Sequence, residues 1–127
     1  MGDAYAKLGR TADARRAYER GLEVTGRMLA VDARSAATLS ARAVLLAKLG
    51  RADVARAAAA SAVSQAPADP DVLYDRAIAL ALARDPDAVP ALESAIAAGY
   101  PAADVLRDDE WDELRETSAF RRVTAAR

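Results

Sequence analysis

At 127 residues the chain is one domain's worth of protein, and more than a quarter of it is alanine against only 5% aromatic residues. That composition suits helices that approach one another closely and excludes a sheet, which needs β-branched and aromatic side chains. The formal charge of −1, from 18 Lys plus Arg against 19 Asp plus Glu, leaves no basic footprint for nucleic acid, and the absence of cysteine and histidine removes disulfides, thiolate chemistry and the commonest general base and metal ligand.

Taken in order, Met1 to Leu8 reads as a helix fragment with Met1, Ala4, Tyr5 and Leu8 on one face. It is too short to stand alone in water and must dock on its neighbour. Gly9 is expected to stop it, and Thr11 to cap a second helix whose buried stripe is Ala14, Ala17, Tyr18, Gly21 and Leu22, running on to Val31 with Gly26 as the place for a bend. Asp32 to Ser35 is a break. A third helix spans about Ala36 to Leu49, with Leu39, Ala43, Leu46 and Leu49 facing its partner, and Gly50 ends it. A fourth, from about Ala52 to Gln65, has an inner side of Ala55, Ala58, Ala59, Ala62 and Val63.

Asp69 followed by Pro70 is a cap-plus-proline start for a fifth helix carrying Leu73, Ala77, Leu80 and Ala81. Asp85-Pro86 repeats the device and opens a sixth with Ala88, Leu92, Ala95 and Ile96 inside, which Gly99 stops. Tyr100 to Arg127 changes character: Trp111, Leu114, Phe120 and Val123 lie among charges, as expected of two or three short capping helices. The longest apolar stretches are broken by arginines such as Arg56 and Arg84, well short of the roughly 20 residues that span a bilayer. Met1 is followed by Gly2 and Asp3 rather than a basic segment and an apolar run, so a soluble, cytoplasmic setting is expected.

One pentapeptide occurs twice, as Ala6-Lys7-Leu8-Gly9-Arg10 and Ala47-Lys48-Leu49-Gly50-Arg51. Aligned on those glycines, the first unit has Met1-Gly2-x-x-Tyr5 and Ala14-x-x-x-Tyr18. The second has Leu39, Arg42-Ala43-x-x-Leu46, Ala55-x-x-x-Ala59 and Pro67, and the third has Leu73, Arg76-Ala77-x-x-Leu80 and Ala88-x-x-x-Leu92. This pattern resembles the tetratricopeptide repeat. The resemblance implies an all-α, right-handed superhelical array of about three helix-turn-helix pairs over residues 1–99 (units about 1–34, 35–69 and 70–99), closed by a helical cap over 100–127. Small residues at Ala14, Ala43, Ala55, Ala77 and Ala88 are expected where the paired helices cross. Gly9 and Gly50 stand 41 positions apart rather than about 34, which adds about two helical turns to the first unit. The array also begins inside its first helix, as expected of the tail of a longer protein. The ending, from Gly99-Tyr100-Pro101 through Trp111 and Leu114 to Phe120, is similar to the closure of bacterial multidomain tetratricopeptide proteins, some of which carry the array behind a kinase, cyclase or transcription-regulator domain.

The family's concave groove implies partner-binding positions at Asp3 and Lys7, at Ser40, Val44 and Lys48, and at Asp71, Tyr74, Asp75 and Ile78. Lys7 and Lys48 form either a stripe suited to an acidic peptide or ordinary solvated turn lysines; Tyr74 is either a groove anchor or packed on a turn. The carboxylate clamp of the chaperone-tail members is not expected, since asparagine is absent and the matching positions hold Ser40, Val44 and Asp75. Carboxylate pairs four apart, Asp71 with Asp75 and Asp108 with Asp112, lack any supporting histidine, glycine loop or metal-ligand spacing. The reading is a non-catalytic protein–protein interaction module without cofactor, metal, nucleic acid or membrane partner. Its alternative is a self-associating spacer joined through apolar surface around Tyr5, Leu8 and Tyr18 that an upstream domain or a second copy would cover.

Overall fold

The computed structural model describes residues 2–125, with side chains from Arg10 onward. The chain is helical, with no strand among the described residues. Helix α1 is Gly2–Val31, α2 is Ala36–Lys48, α3 is Ala52–Gln65, α4 is Pro70–Leu82 and α5 is Ala88–Ala97. Then come α6, Ala102–Arg107, a single 3₁₀ turn, Asp109–Trp111, and α7, Ser118–Ala125. Helices α2 and α3 form one hairpin and α4 and α5 a second; α4 packs on both members of the first, and α1 lies against α2. At the other end, the 3₁₀ turn lies on α4, and α7 packs on α5 and α6. No helix among the described residues is long and apolar enough to cross a membrane.

Local signals account for most of these boundaries. Ser35 caps α2 by accepting the Thr38 N–H at 3.3 Å, and Asp69 caps α4 by accepting the Asp71 N–H at 2.9 Å, with Pro70 in the first turn. Gly50 ends α2 at φ +78°: its N–H donates to the Ala47 carbonyl and that of Arg51 to the Leu46 carbonyl, the paired bonds of a Schellman stop. The same two bonds recur after α5 around Gly99, from Gly99 to Ile96 and from Tyr100 to Ala95. They recur after α4 too, where the left-handed position is taken by Arg84 at φ +56°. A side chain there carries a steric cost that glycine avoids. Arg84→Gly is therefore expected to stabilise the fold by about 0.5–1 kcal/mol, read as a higher denaturant midpoint with an unchanged slope. The Glu113 partner it forgoes is 3.7 Å away and exposed, a pair of little worth.

Two expected starts and one expected stop fail. Gly9 does not end a helix: α1 runs unbroken for 30 residues, so the expected unit 1–34 is a single helix rather than a hairpin and Thr11 lies in its interior. Continuing the helix through Gly9 keeps every backbone hydrogen bond at an interior-glycine cost of about 1 kcal/mol. Asp85-Pro86 does not open α5, which begins at Ala88 with no side-chain cap. The Asp85 carboxylate is used in the turn instead, accepting the Asp87 N–H at 2.8 Å and Arg56 Nε at 2.8 Å from α3. Those contacts hold its pKa below the ordinary carboxylate value, the backbone N–H contributing most.

Packing follows the small residues. Ala43, Ala55, Ala77 and Ala88 are buried as expected, whereas Ala14 is only half-buried, because among the described residues α1 packs mainly on α2. Glycine lets α1 come close to α2: a Cβ at Gly21 would stand 2.9 Å from Leu45 Cδ1. Arg42 then ties the pair by donating from Nη1 to the Leu22 carbonyl at 2.8 Å and to Thr25 Oγ1 at 3.1 Å. The larger core lies between α4, α5 and the C-terminal segment, where Leu92, Ile96, Val105, Trp111 and Phe120 are buried together.

Candidate functional site

The expected groove positions on α2 and α4 are largely inside the protein. Ser40 is buried and its hydroxyl lies 3.0 Å from Asp75 Oδ2; Ile78 is buried and Val44 is half-buried against the main core. Tyr74, expected as a possible anchor for a partner, is buried too. Its ring stacks on Tyr100 at 3.8 Å between centroids, its hydroxyl donates to Asp108 Oδ2 at 2.5 Å, and it accepts from Trp111 Nε1 at 3.0 Å. Burial, and then the Asp108 carboxylate, raise its pKa far above the ordinary tyrosine value. Tyr74 is covered by the C-terminal segment, whose 3₁₀ turn lies on α4, whereas Ser40 is covered because α2 and α4 pack directly on one another. Asp71 remains exposed beside its cap. The side chains of Asp3 and Lys7 lie outside the described residues; the Lys7 backbone is inside α1, away from any turn, so it is not the structural equivalent of Lys48.

Three of the four carboxylates in the two pairs are engaged by other side chains. Asp75 is held by Ser40, Asp108 by Tyr74, and Asp112 by Arg115 Nε at 2.8 Å. Burial raises the Asp75 pKa, helped by the negative charges of Asp71 and Asp69 and opposed by the Ser40 hydrogen bond. A carboxyl whose folded pKa is raised favours the fold while protonated and loses that contribution as pH climbs through the folded value. Asp75→Asn, which keeps an acceptor for Ser40, is thus expected to raise the melting temperature at pH 7. The advantage should vanish near pH 3, below the unfolded carboxylate value of about 3.9, where the aspartate is neutral as well.

Among the expected groove residues whose side chains are described, Asp71 and Lys48 are exposed, and Lys48 is the one that borders a cleft. The last residue of α2, it complements the helix dipole and lies with Nζ 5.2 Å from the centre of the Tyr18 ring and 3.3 Å from Glu110 Oε1. Beside it an open cleft of about 720 Å³ runs between α1 and the end of α2, lined by Arg10, Thr11, Ala14, Arg15, Tyr18, Lys48 and Leu49. The α1 residues converge because positions three and four apart share a helix face. Arg10, Arg15 and Lys48 are cations, and none of the described residues lining the cleft is acidic. Arg15 has an exposed partner, Glu19, at 3.7 Å.

Arg10, Arg15 and Tyr18 are not among the groove positions that the repeat pattern implies. Their signal in the sequence is a cluster of arginines on the same helix as an apolar stripe, which reads equally well as a solvated face. Among the described residues no group of three or more carboxylates could hold a metal. Comparison of the chain with protein-family models, with curated proteins and with solved structures finds no match in any of the three.

Proposed function

We propose that this chain is a non-catalytic interaction module that takes a segment of a partner protein in the cleft between α1 and the end of α2. The observation that carries this reading is the convergence of Arg10, Arg15 and Lys48 around Tyr18 in an open cleft with no acidic residue among the described residues lining it. Arginine and tyrosine are among the side chains most used as anchors at protein interfaces. We further infer a tetratricopeptide-like array, in which α2/α3 and α4/α5 are the second and third units and α1 is the second helix of the first. Stacked hairpins, a glycine stop after α2 and buried alanines at the pattern positions support that assignment. The proposed setting is an accessory array in a larger bacterial regulatory protein of the cytoplasm.

The test is selection from a displayed random peptide library, followed by binding measurements on variants. Peptides enriched by the native chain should lose about tenfold or more in affinity on Arg15→Glu or Lys48→Glu, with the melting temperature held within a few degrees. Peptides that bind both variants as well as the native chain would remove the cleft from consideration. Tyr74→Ala is unsuitable for this purpose, since it hollows the core. A second reading, the self-associating spacer, is favoured by one feature: Val24, Met28 and Val31 of α1 are exposed, Val31 to 90%. A dimer that Met28→Glu splits, in a chain that enriches no peptide, would establish it instead.

A further inference from the structure

Lys48 belongs to two places at once, and this carries a consequence for regulation of the cleft. On one side it lines the cleft with Arg10 and Arg15; on the other its ammonium meets the carboxylate of Glu110 at 3.3 Å, with both side chains more than half covered. Glu110 does not reach Lys48 by chance of a loose side chain. It sits in the 3₁₀ turn between two fixed residues. Asp108 before it accepts the Glu110 N–H at 3.0 Å through one carboxylate oxygen and the Tyr74 hydroxyl through the other. Trp111 after it is fully buried. Arg115 clamps the approach to the turn from behind, donating to the Leu106 and Asp108 carbonyls at 2.6 Å each. The turn therefore delivers one carboxylate to the cationic rim of the cleft from the α4 side.

We propose that the cleft takes an acidic peptide segment, and that Glu110 is its internal competitor for Lys48. The inference rests on the cleft being the partner site. A carboxylate entering between α1 and α2 meets Arg10, Arg15 with its exposed Glu19 partner, and an ammonium already paired with Glu110. An ammonium has three donors, so both carboxylates can touch it, but two like charges on one cation repel. The internal pair lowers the affinity for the partner, and by reciprocity an occupied cleft loosens the hold of α2 on the C-terminal turn. The rest of the acidic stretch lies elsewhere: Asp112 pairs with Arg115, and Glu113 with the exposed Arg84 at 3.7 Å.

The experiment is fluorescence anisotropy of a labelled hexaglutamate peptide titrated with the full chain at low and physiological salt. Glu110→Gln is expected to tighten binding about two- to fivefold. Glu113→Gln, which removes the same charge from the same stretch without touching Lys48, should leave it unchanged. In a Lys48→Gln background the Glu110→Gln gain should disappear, as a double-mutant cycle requires of a direct pair. Equal effects of the two glutamine variants, or a gain that survives without Lys48, would overturn the competition and leave the cleft intact. Binding unaffected by both Arg15→Gln and Lys48→Gln would remove the cleft reading itself. An oligo-thymidylate held more tightly than hexaglutamate at the same salt would overturn the acidic peptide as occupant in favour of a nucleic acid.

Discussion

Trp111→Ala should loosen the C-terminal segment from the rest of the fold at a cost of about 3–5 kcal/mol, the range for emptying a fully buried large aromatic site. The indole has no exposed surface and is the largest side chain in the core. It lies 5.7 Å from the Phe120 ring and 6.3 Å from that of Tyr74, so it is the common neighbour of α4 and α7. Alanine would leave a void among residues fixed by three different elements, and it would take away the donor that Tyr74 receives at 3.0 Å. A domain of this size is stable by only about 5–15 kcal/mol, so the loss is a large fraction of the whole. The check is urea unfolding followed by circular dichroism, since the variant has no tryptophan left to report. Trp111→Phe separates the contributions: it keeps most of the volume and deletes the N–H, and should cost about 1 kcal/mol. If Trp111→Ala lost less than 1 kcal/mol, the C-terminal segment could not be part of the core.

Ala55→Leu should destabilise by about 1–3 kcal/mol for the opposite reason, overpacking. Ala55 is on the inner face of α3, has no exposed surface, and shares a cluster with Ala43, Leu46, Ala47 and Ala59 of the same hairpin and Ala79 of α4. Three helices meet there through methyl groups. Three added carbons have no void to enter, and α3 must move away from α2 or α4. Ala60→Leu, on the exposed side of the same helix, should stay within about 0.5 kcal/mol of the native chain. Thermal melts of the two variants side by side distinguish a packing constraint from a general effect of leucine in α3. Equal melting temperatures would mean that the hairpins are not as closely stacked as the buried alanines imply.

Much of the architecture was legible because its signals are local. Ser35, Asp69-Pro70, Gly50 and Gly99 are capping residues whose hydrogen bonds lie within a few positions of themselves, and the helices they bound agree with the expected ones to within a residue or two. The burial of Ala43, Ala55, Ala77 and Ala88 followed from spacing, and that of Trp111 and Phe120 from their place as capping aromatics. The candidate site was less legible. The expected groove came from an open array, whereas in this chain residues 100–115 lie over α4 and turn Tyr74 from a surface ring into a core one. Nothing near Tyr74 in the chain encodes that; its partners Tyr100, Asp108 and Trp111 are far along the sequence. Lys48 stayed exposed, and it acquired its neighbours Tyr18 and Glu110 from opposite ends of the chain.

The repeated pentapeptide states the division most clearly. Helix-forming character, alanine-lined faces and the caps between helices are properties of neighbouring residues, and they were set by composition and spacing. Ala47-Lys48-Leu49-Gly50-Arg51 closes α2 with a left-handed glycine, while Ala6-Lys7-Leu8-Gly9-Arg10 runs straight through α1. Identical residues cannot choose between these outcomes. A glycine stop and an interior glycine differ by only about 1 kcal/mol, less than the burial of a single leucine or valine side chain. After Gly50, folding back buries Ala55, Ala59 and Ala62, and the stop is taken. At Gly9 the helix goes on. Where the chain turns is thus decided by what the turn allows it to bury, and that quantity exists only in the tertiary structure.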